Sequence, residues 1–221
     1  MTAEGNTTWR DRFARRFLQL QLGLIGYGVS MALMVESTLG LDPWDVFHDG
    51  VADATGLRFG WVVIATGALV LLAWVPLRQR PGIGTVSNVI VIGLAVDAAL
   101  AVLPTGGPLA LRITMLVTGI VLNGVATGLY IGARLGPGPR DGLMTGYVAL
   151  RPGRSIRVVR TVIELTVLGI GVLLGGTVGV GTILYAVTIG PLAHLFIPLL
   201  TVPPTPVSAA PPPALPADAP A

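Results

Sequence analysis

Two aspartates occupy corresponding positions in two related blocks of this sequence. Asp45 ends the block LGLDPWD at residues 39–45, and Asp141 ends the block LGPGPRD at residues 135–141. In both blocks a proline begins a predicted helix, a residue able to cap that helix precedes it, and the acid follows at the third helical position. An acid there is stabilised by the helix dipole, which is a structural role. The alternative is a solute site for an anion, held by the free N–H groups of such helix starts with nearby Arg140, in which the two acids orient the solute or bind a coupling cation.

Three more ionisable residues lie inside apolar stretches and are candidates for proton or ion coupling. Asp97 and His194 stand at corresponding places in two long apolar stretches, and histidine titrates near physiological pH. We expect each to face a separate vestibule, or to lie at the interface with one hydrogen bond to a neighbouring helix, and we do not expect them to pair. Glu164 follows Arg160 by one helical turn, which predicts a local ion pair and leaves coupling as the alternative.

Asn123 lies in the middle of another apolar stretch. An asparagine at that depth predicts a hydrogen bond to a neighbouring helix, worth about 0.6–2 kcal/mol, with contact to a bound solute as the alternative. Three glycines, spaced four residues apart, come directly after it: Gly124, Gly128 and Gly132. This spacing predicts close packing between helices first and a homodimer through glycine-rich faces second.

Several classes of site are excluded by residue type. The chain has no cysteine and only two histidines, which leaves no disulfide or thiolate metal site and little for a transition metal. It has no nucleophile elbow, zinc-protease motif, P-loop or dinucleotide fingerprint. The basic residues are all arginines. They are scattered between apolar stretches and do not form a nucleic-acid-binding face. We therefore predict no catalytic residue, metal, cofactor or nucleic-acid partner, and a protein that is not an enzyme.

Composition places the chain in a lipid bilayer. Charged residues make up 11% of it, against about 25% in a soluble domain. Six apolar stretches are long enough to cross the roughly 30 Å hydrocarbon core as helices. They comprise residues 17–35, 59–77, 83–103, 113–133, 158–178 and 180–200.

The arginines predict the orientation of these spans. Arginines in short loops tend to stay on the cytoplasmic side. With the N-terminus inside, all arginines except Arg58 and Arg112 lie in or beside cytoplasmic segments. Residues 1–16 are then a basic cytoplasmic N-terminus. Residues 201–221, rich in proline and poor in large apolar side chains, form a disordered cytoplasmic tail.

A second pair of blocks shows that the sequence repeats. Residues 82–85 (GIGT) match residues 179–182 (GVGT) at nearly the same separation as the aspartate blocks, which indicates a duplication of residues 17–103 in residues 112–200. Each half contains one span, a short segment (43–55 or 139–150) and two more spans. As helices of about 18–20 Å the short segments cannot cross alone. Three crossings per half place the second half upside down relative to the first.

The blocks GLDPW (40–44), GIGT (82–85), GPGPRDGLM (136–144) and GVGT (179–182) resemble the YczE-like family of bacterial membrane proteins and, more distantly, the YitT-like group. The resemblance extends over residues 17 to 200. It implies a multi-pass protein of the bacterial cytoplasmic membrane and implies no reaction or substrate.

Inverted repeats with short helices are typical of secondary transporters, whose sites lie at the repeat interface. We therefore expect a permease for a small solute or ion of unidentified structure. The alternative is a non-transporting accessory or scaffold protein that acts on protein partners through its loops and tail.

Overall fold

Eight α-helices make up the part of the chain that the computed structural model describes, residues 12–151 and 153–203. The all-α class is confirmed, and both short helices begin and end where the sequence predicted. Residues 1–11 of the basic N-terminus and the tail beyond residue 203 lie outside the described residues. In chain order the helices are α1 (Phe13–Ser37), α2 (Pro43–Thr55), α3 (Phe59–Ala73), α4 (Ile83–Leu100), α5 (Leu109–Gly132), α6 (Pro139–Leu150), α7 (Ile156–Leu173) and α8 (Val180–Leu200).

Fewer helices than predicted are long and apolar enough to span a membrane. Within the described residues these are α1, α4, α5 and α8, and the pair α2 and α3, bent by 115°, is a fifth candidate if it forms one broken span. The predicted spans 59–77 and 158–178 account for the difference from six. Helix α3 ends at Ala73, so its 15 residues extend only about 22 Å. Helix α7 carries Arg157, Arg160 and Glu164 and is therefore less apolar.

Helices α1 and α5 run antiparallel through the centre of the molecule. At one end the Nε of Arg112 donates a hydrogen bond to the carbonyl oxygen of Ser37 at 2.8 Å. At the other end the Nε2 of Gln19 donates to the carbonyl oxygen of Leu129 at 3.0 Å. A Cβ on Gly23 would lie 2.8 Å from the backbone nitrogen of Tyr130, so the two backbones approach closely between these ends.

Helix α4 packs against α1 in the same way that α8 packs against α5. Gly28 on α1 faces Ala95 on α4, and Gly124 on α5 faces Leu192 on α8. Further along the second pair, Gly132 faces the backbone of Leu200. The predicted close packing at these glycines is therefore found within one chain. A homodimer stays a prediction.

The duplicated sequence blocks contact each other reciprocally. The backbone N–H of Gly84 donates to the carbonyl oxygen of Leu135 at 2.9 Å, and that of Gly181 donates to Leu39 at 2.8 Å. Each GxGT block of one half thus holds the leucine that begins the aspartate block of the other half. At Gly40, in the left-handed region with φ of +117°, a Cβ would lie 2.6 Å from the nitrogen of Gly179. Only glycine fits both the backbone conformation and the close approach.

Candidate functional site

The starts of α2 and α6 meet inside the molecule. Asp42 caps α2, because its Oδ1 accepts hydrogen bonds from the backbone nitrogens of Trp44 at 2.9 Å and Asp45 at 3.3 Å. This confirms the predicted cap-proline-acid arrangement for the first block. Helix α6 starts at Pro139 after Gly138, whose position has no side chain to cap the helix. The two helix starts therefore differ by one carboxylate.

Arg140 of α6 lies against the acids of α2. Its Nη1 is 3.7 Å from Asp42 Oδ1 and its Nη2 is 3.8 Å from Asp45 Oδ1. These distances are longer than hydrogen bonds, so the attraction is between charges. The guanidinium carbon also lies 4.7 Å from the ring centre of Trp44, in cation–π contact. Because the two carboxylates are buried, Arg140 is their main countercharge.

His48 extends this cluster along α2. Its Nδ1 lies 3.1 Å from Asp45 Oδ1, and its side chain is buried. His48 was not among the predicted site residues, and Asp42 was predicted only as a helix cap. The signal for His48 was its spacing of three residues from Asp45, which places both on one helix face. No comparable signal marked Asp42, since its repeat counterpart is Gly138.

A cavity of about 230 Å³ lies beside this cluster. Every helix of the described chain contributes to its wall, so it lies where the two halves meet. Arg140, whose side chain is 28% exposed, faces it. Its polar and aromatic wall comprises Tyr27, Asp42, Trp44, His48, Thr66, Asn88, Thr127, Tyr130, Arg140, Asp141, Arg160, Glu164 and Tyr185.

Asp141 is separated from its repeat counterpart Asp45. Its Oδ2 accepts a hydrogen bond from the Tyr130 hydroxyl at 3.2 Å. Arg160 and Glu164 form the predicted local pair, with 2.8 Å between Nε and Oε1, and both line the cavity. The cavity wall thus includes three of the predicted site residues, Arg140, Asp141 and Glu164. Asp45 is not part of the wall, but its Oδ1 lies 3.8 Å from Arg140 Nη2.

Asn123 makes the predicted cross-helix hydrogen bonds. Its Nδ2 donates to the Ser30 hydroxyl on α1 at 2.9 Å, and its Oδ1 accepts from the Tyr185 hydroxyl on α8 at 3.1 Å. Its side chain is fully buried and is not part of the cavity wall. Asn123 therefore positions Tyr185, which does line the cavity, and joins α1, α5 and α8.

The structure places Asp97 and His194 away from the cavity. Asp97 Oδ1 accepts from the backbone nitrogen of Gly60 at 2.7 Å, and its Oδ2 lies 3.4 Å from Arg58 Nε. This arrangement is the local hydrogen-bonded alternative given above. His194 is exposed on α8. Among the described residues the two make no hydrogen bond or ion pair with each other, in line with the expectation that they do not meet.

Comparison with known proteins gives a family and three relatives. A family model described as a family of unknown function, DUF6198, matches residues 14–198. An uncharacterized protein of Haemophilus influenzae is 40% identical over 173 residues, covering 78% of this chain and 79% of the relative. The uncharacterized membrane protein YczE of Bacillus subtilis is 34% identical over 176 residues, covering 79% and 81%. The uncharacterized protein YyaS of the same organism is 25% identical over 189 residues, covering 84% and 94%. No solved structure matches.

Proposed function

We propose that this chain, which belongs to the family of unknown function DUF6198, is a permease that moves a small solute through the cavity between its two halves. The predicted resemblance to the YczE-like family is confirmed, and the chain is an integral membrane protein, as its relative YczE is named. The observation that carries the proposal is the cavity itself. A pocket that is lined by all eight helices of the described residues and that contains charged and aromatic side chains is a costly feature in a membrane protein and is typical of a solute site.

The proposal includes an inverted repeat with three crossings in each half, α3 and α7 among them. The antiparallel pairing of α1 with α5 supports it, since corresponding helices of inverted halves must point in opposite directions. The reciprocal hydrogen bonds of Gly84 and Gly181 support it as well. In such a protein the starts of α2 and α6 enter the membrane from opposite faces and meet at the solute site. Exchange of the two halves' conformations would then open the cavity to one face and afterwards to the other.

The topology of this proposal is N-terminus and C-terminus inside, in a bacterial cytoplasmic membrane. We expect single cysteines at Thr55, Gln79, Thr105 and Ser155 to react from outside, inside, outside and inside respectively, with a membrane-impermeant maleimide on intact cells and on inverted vesicles. The natural chain has no cysteine, so each signal comes from one site. Reaction of Gln79 from the exterior would contradict the inverted repeat, because α3 would then not cross.

Access of a water-soluble reagent to the cavity from both faces of the membrane distinguishes a permease from a scaffold protein. Thr127 lines the cavity, whereas Ser30 is fully buried and is not part of its wall. We expect the Thr127→Cys variant to react with a membrane-impermeant methanethiosulfonate reagent that carries a quaternary ammonium group, added from either face, because an alternating site opens to both. The matched Ser30→Cys variant should react from neither. Protection of Thr127→Cys from both faces would favour the non-transporting scaffold function instead.

A further inference from the structure

The two acids at the start of α2 each leave one oxygen without a hydrogen-bond donor. Oδ1 of Asp42 accepts from two backbone nitrogens, and Oδ1 of Asp45 lies against His48 Nδ1. The Oδ2 atoms of both are buried and have no partner among the described residues, and neither has the Nε1 of Trp44. A buried polar atom without a partner destabilises the folded chain. Asp42 lines the cavity, so a molecule in the cavity can donate a hydrogen bond to its free Oδ2.

When its carboxyl groups are ionised, as for Asp42 at pH 8, the cavity has more negative than positive charge among the described residues. Arg160 is paired with Glu164, which leaves Arg140 as the countercharge for Asp42 and Asp45 together. Asp141 adds a third carboxyl group to the wall. An excess of negative charge in a site of low dielectric constant attracts a cation and repels an anion. This excess outweighs the anion-binding tendency of Arg140 and of the helix starts.

The aromatic side chains around the cavity favour the same sign of charge. The rings of Tyr27, Trp44, Tyr130 and Tyr185 form part of its wall. Aromatic ring faces attract cations, most strongly when water is excluded. The guanidinium of Arg140 already occupies one face of the Trp44 ring, so the tyrosine rings are the aromatic groups left for a solute cation.

We infer that the cavity binds a small organic cation with N–H donors, of the class of protonated primary amines, between the free carboxylate oxygen of Asp42 and the surrounding rings. This inference rests on the proposed function and names its solute class. The free oxygen of Asp42 calls for a donor, so an amine that retains N–H groups fits better than a quaternary ammonium ion. A cavity of about 230 Å³ restricts the solute to a small molecule.

The cation competes with a proton at Asp42, which lies in the connection between α1 and α2, outside the spanning helices. Burial is the largest cause that raises the pKa of Asp42, nearby Asp45 also raises it, Arg140 lowers it, and the resulting pKa is about 7. In an empty cavity at pH 6 most Asp42 side chains are therefore protonated, and binding of the amine must displace that proton. The charged and titratable groups that act on Asp42 are Asp45 and His48 from α2, Arg140 from α6, Tyr27 from α1 and Tyr185 from α8.

The test measures thermal unfolding of the purified full-length chain in detergent at pH 8. The probes are n-propylammonium, with butyrate and 1-butanol as anionic and neutral molecules of similar size. We expect saturating n-propylammonium to raise Tm by about 5 °C or more, and the other two to leave it unchanged. The half-saturating concentration should rise about tenfold from pH 8 to pH 6, since ionised Asp42 becomes that much rarer.

Two aspartate variants provide the matched comparison. Asp42→Asn keeps an oxygen that caps α2 but lacks the charge, so we expect the response to n-propylammonium to disappear. Asp97→Asn carries the same substitution outside the cavity and should respond like the natural chain. If Asp42→Asn does not fold, the pH dependence of the natural chain decides alone.

The outcomes distinguish this inference from the permease proposal. Stabilisation by butyrate, or by none of the probes, while Thr127→Cys remains accessible from both faces would overturn the cation class and leave the permease standing. An unchanged amine response in folded Asp42→Asn would also overturn it. Protection of Thr127→Cys from both faces would instead reject the permease itself.

Discussion

Replacement of Arg140 by methionine is expected to lower the free energy of unfolding by about 3–5 kcal/mol, since it leaves two buried carboxylates without their countercharge. Asp42 and Asp45 are 2% and 0% exposed, and both face the guanidinium at under 4 Å. For a chain of this length such a loss lowers Tm by about 6–20 °C. Thermal unfolding in detergent at pH 8 measures it, because at lower pH the carboxyl groups can take up protons and reduce the loss.

A second substitution and a control identify the cause of that loss. The double variant Arg140→Met, Asp45→Asn should recover part of the lost stability, because one of the two uncompensated charges is gone. Arg58→Met removes an arginine that is 68% exposed and pairs with Asp97, and we expect an effect within about 1 kcal/mol. Equal losses for Arg140→Met and Arg58→Met would show that the buried charge cluster does not stabilise the fold.

Replacement of Gly142 by alanine is expected to destabilise the chain by about 1–3 kcal/mol or more, because the added methyl group has no space. A Cβ at Gly142 would overlap the indole ring of Trp74. That ring is 2% exposed, and its Nε1 donates a hydrogen bond to the carbonyl oxygen of Pro139 at 3.0 Å. It cannot move aside without losing this bond, which holds the start of α6 and hence the backbone that carries Arg140.

The matched control is Gly169→Ala on α7. A Cβ there meets no atom within 4 Å. Alanine is favoured over glycine inside a helix by about 0.8–1 kcal/mol, so we expect an unchanged or slightly higher Tm. Both variants are compared by thermal unfolding under the same conditions. A Gly142→Ala variant as stable as Gly169→Ala would mean that α6 can shift away from Trp74 at no cost.

The helical framework was predictable because its signals are local. Long apolar runs predicted α1, α4, α5 and α8, and a proline at the first helical position fixed the starts of α2 and α6. The bounds of α3 and α7 were less predictable. Apolar residues continue beyond Ala73 and Leu173, but the chain turns there so that Trp74 packs against α6 and Gly176 packs against Val46 of α2. These ends depend on contacts between helices that hydropathy does not record.

The candidate site was predictable only in part. Asp45 and Asp141 were predicted because the repeat places the same acid after each proline. Arg140, whose counterpart is Trp44, was predicted from its place beside a helix start. The repeat comparison passed over Asp42, whose counterpart is a glycine, and it gave Asp97 and His194 a weight that their positions away from the cavity do not support. An ionisable residue in an apolar stretch has the same sequence signature whether it faces a cavity, a backbone nitrogen or the surrounding lipid.

By itself the sequence determined that this chain is a helical membrane protein of a particular family, with two short helices that each begin at a proline and carry an acid in the first turn. Those properties follow from hydropathy, helix capping and motif spacing, which act over a few residues. Only the tertiary structure decided that Asp42 and Asp45 meet Arg140, almost a hundred residues away in the chain. A carboxylate can cap its own helix, pair with a distant arginine or bind a solute, and the tertiary arrangement that brings the starts of α2 and α6 together determines which partner is within reach.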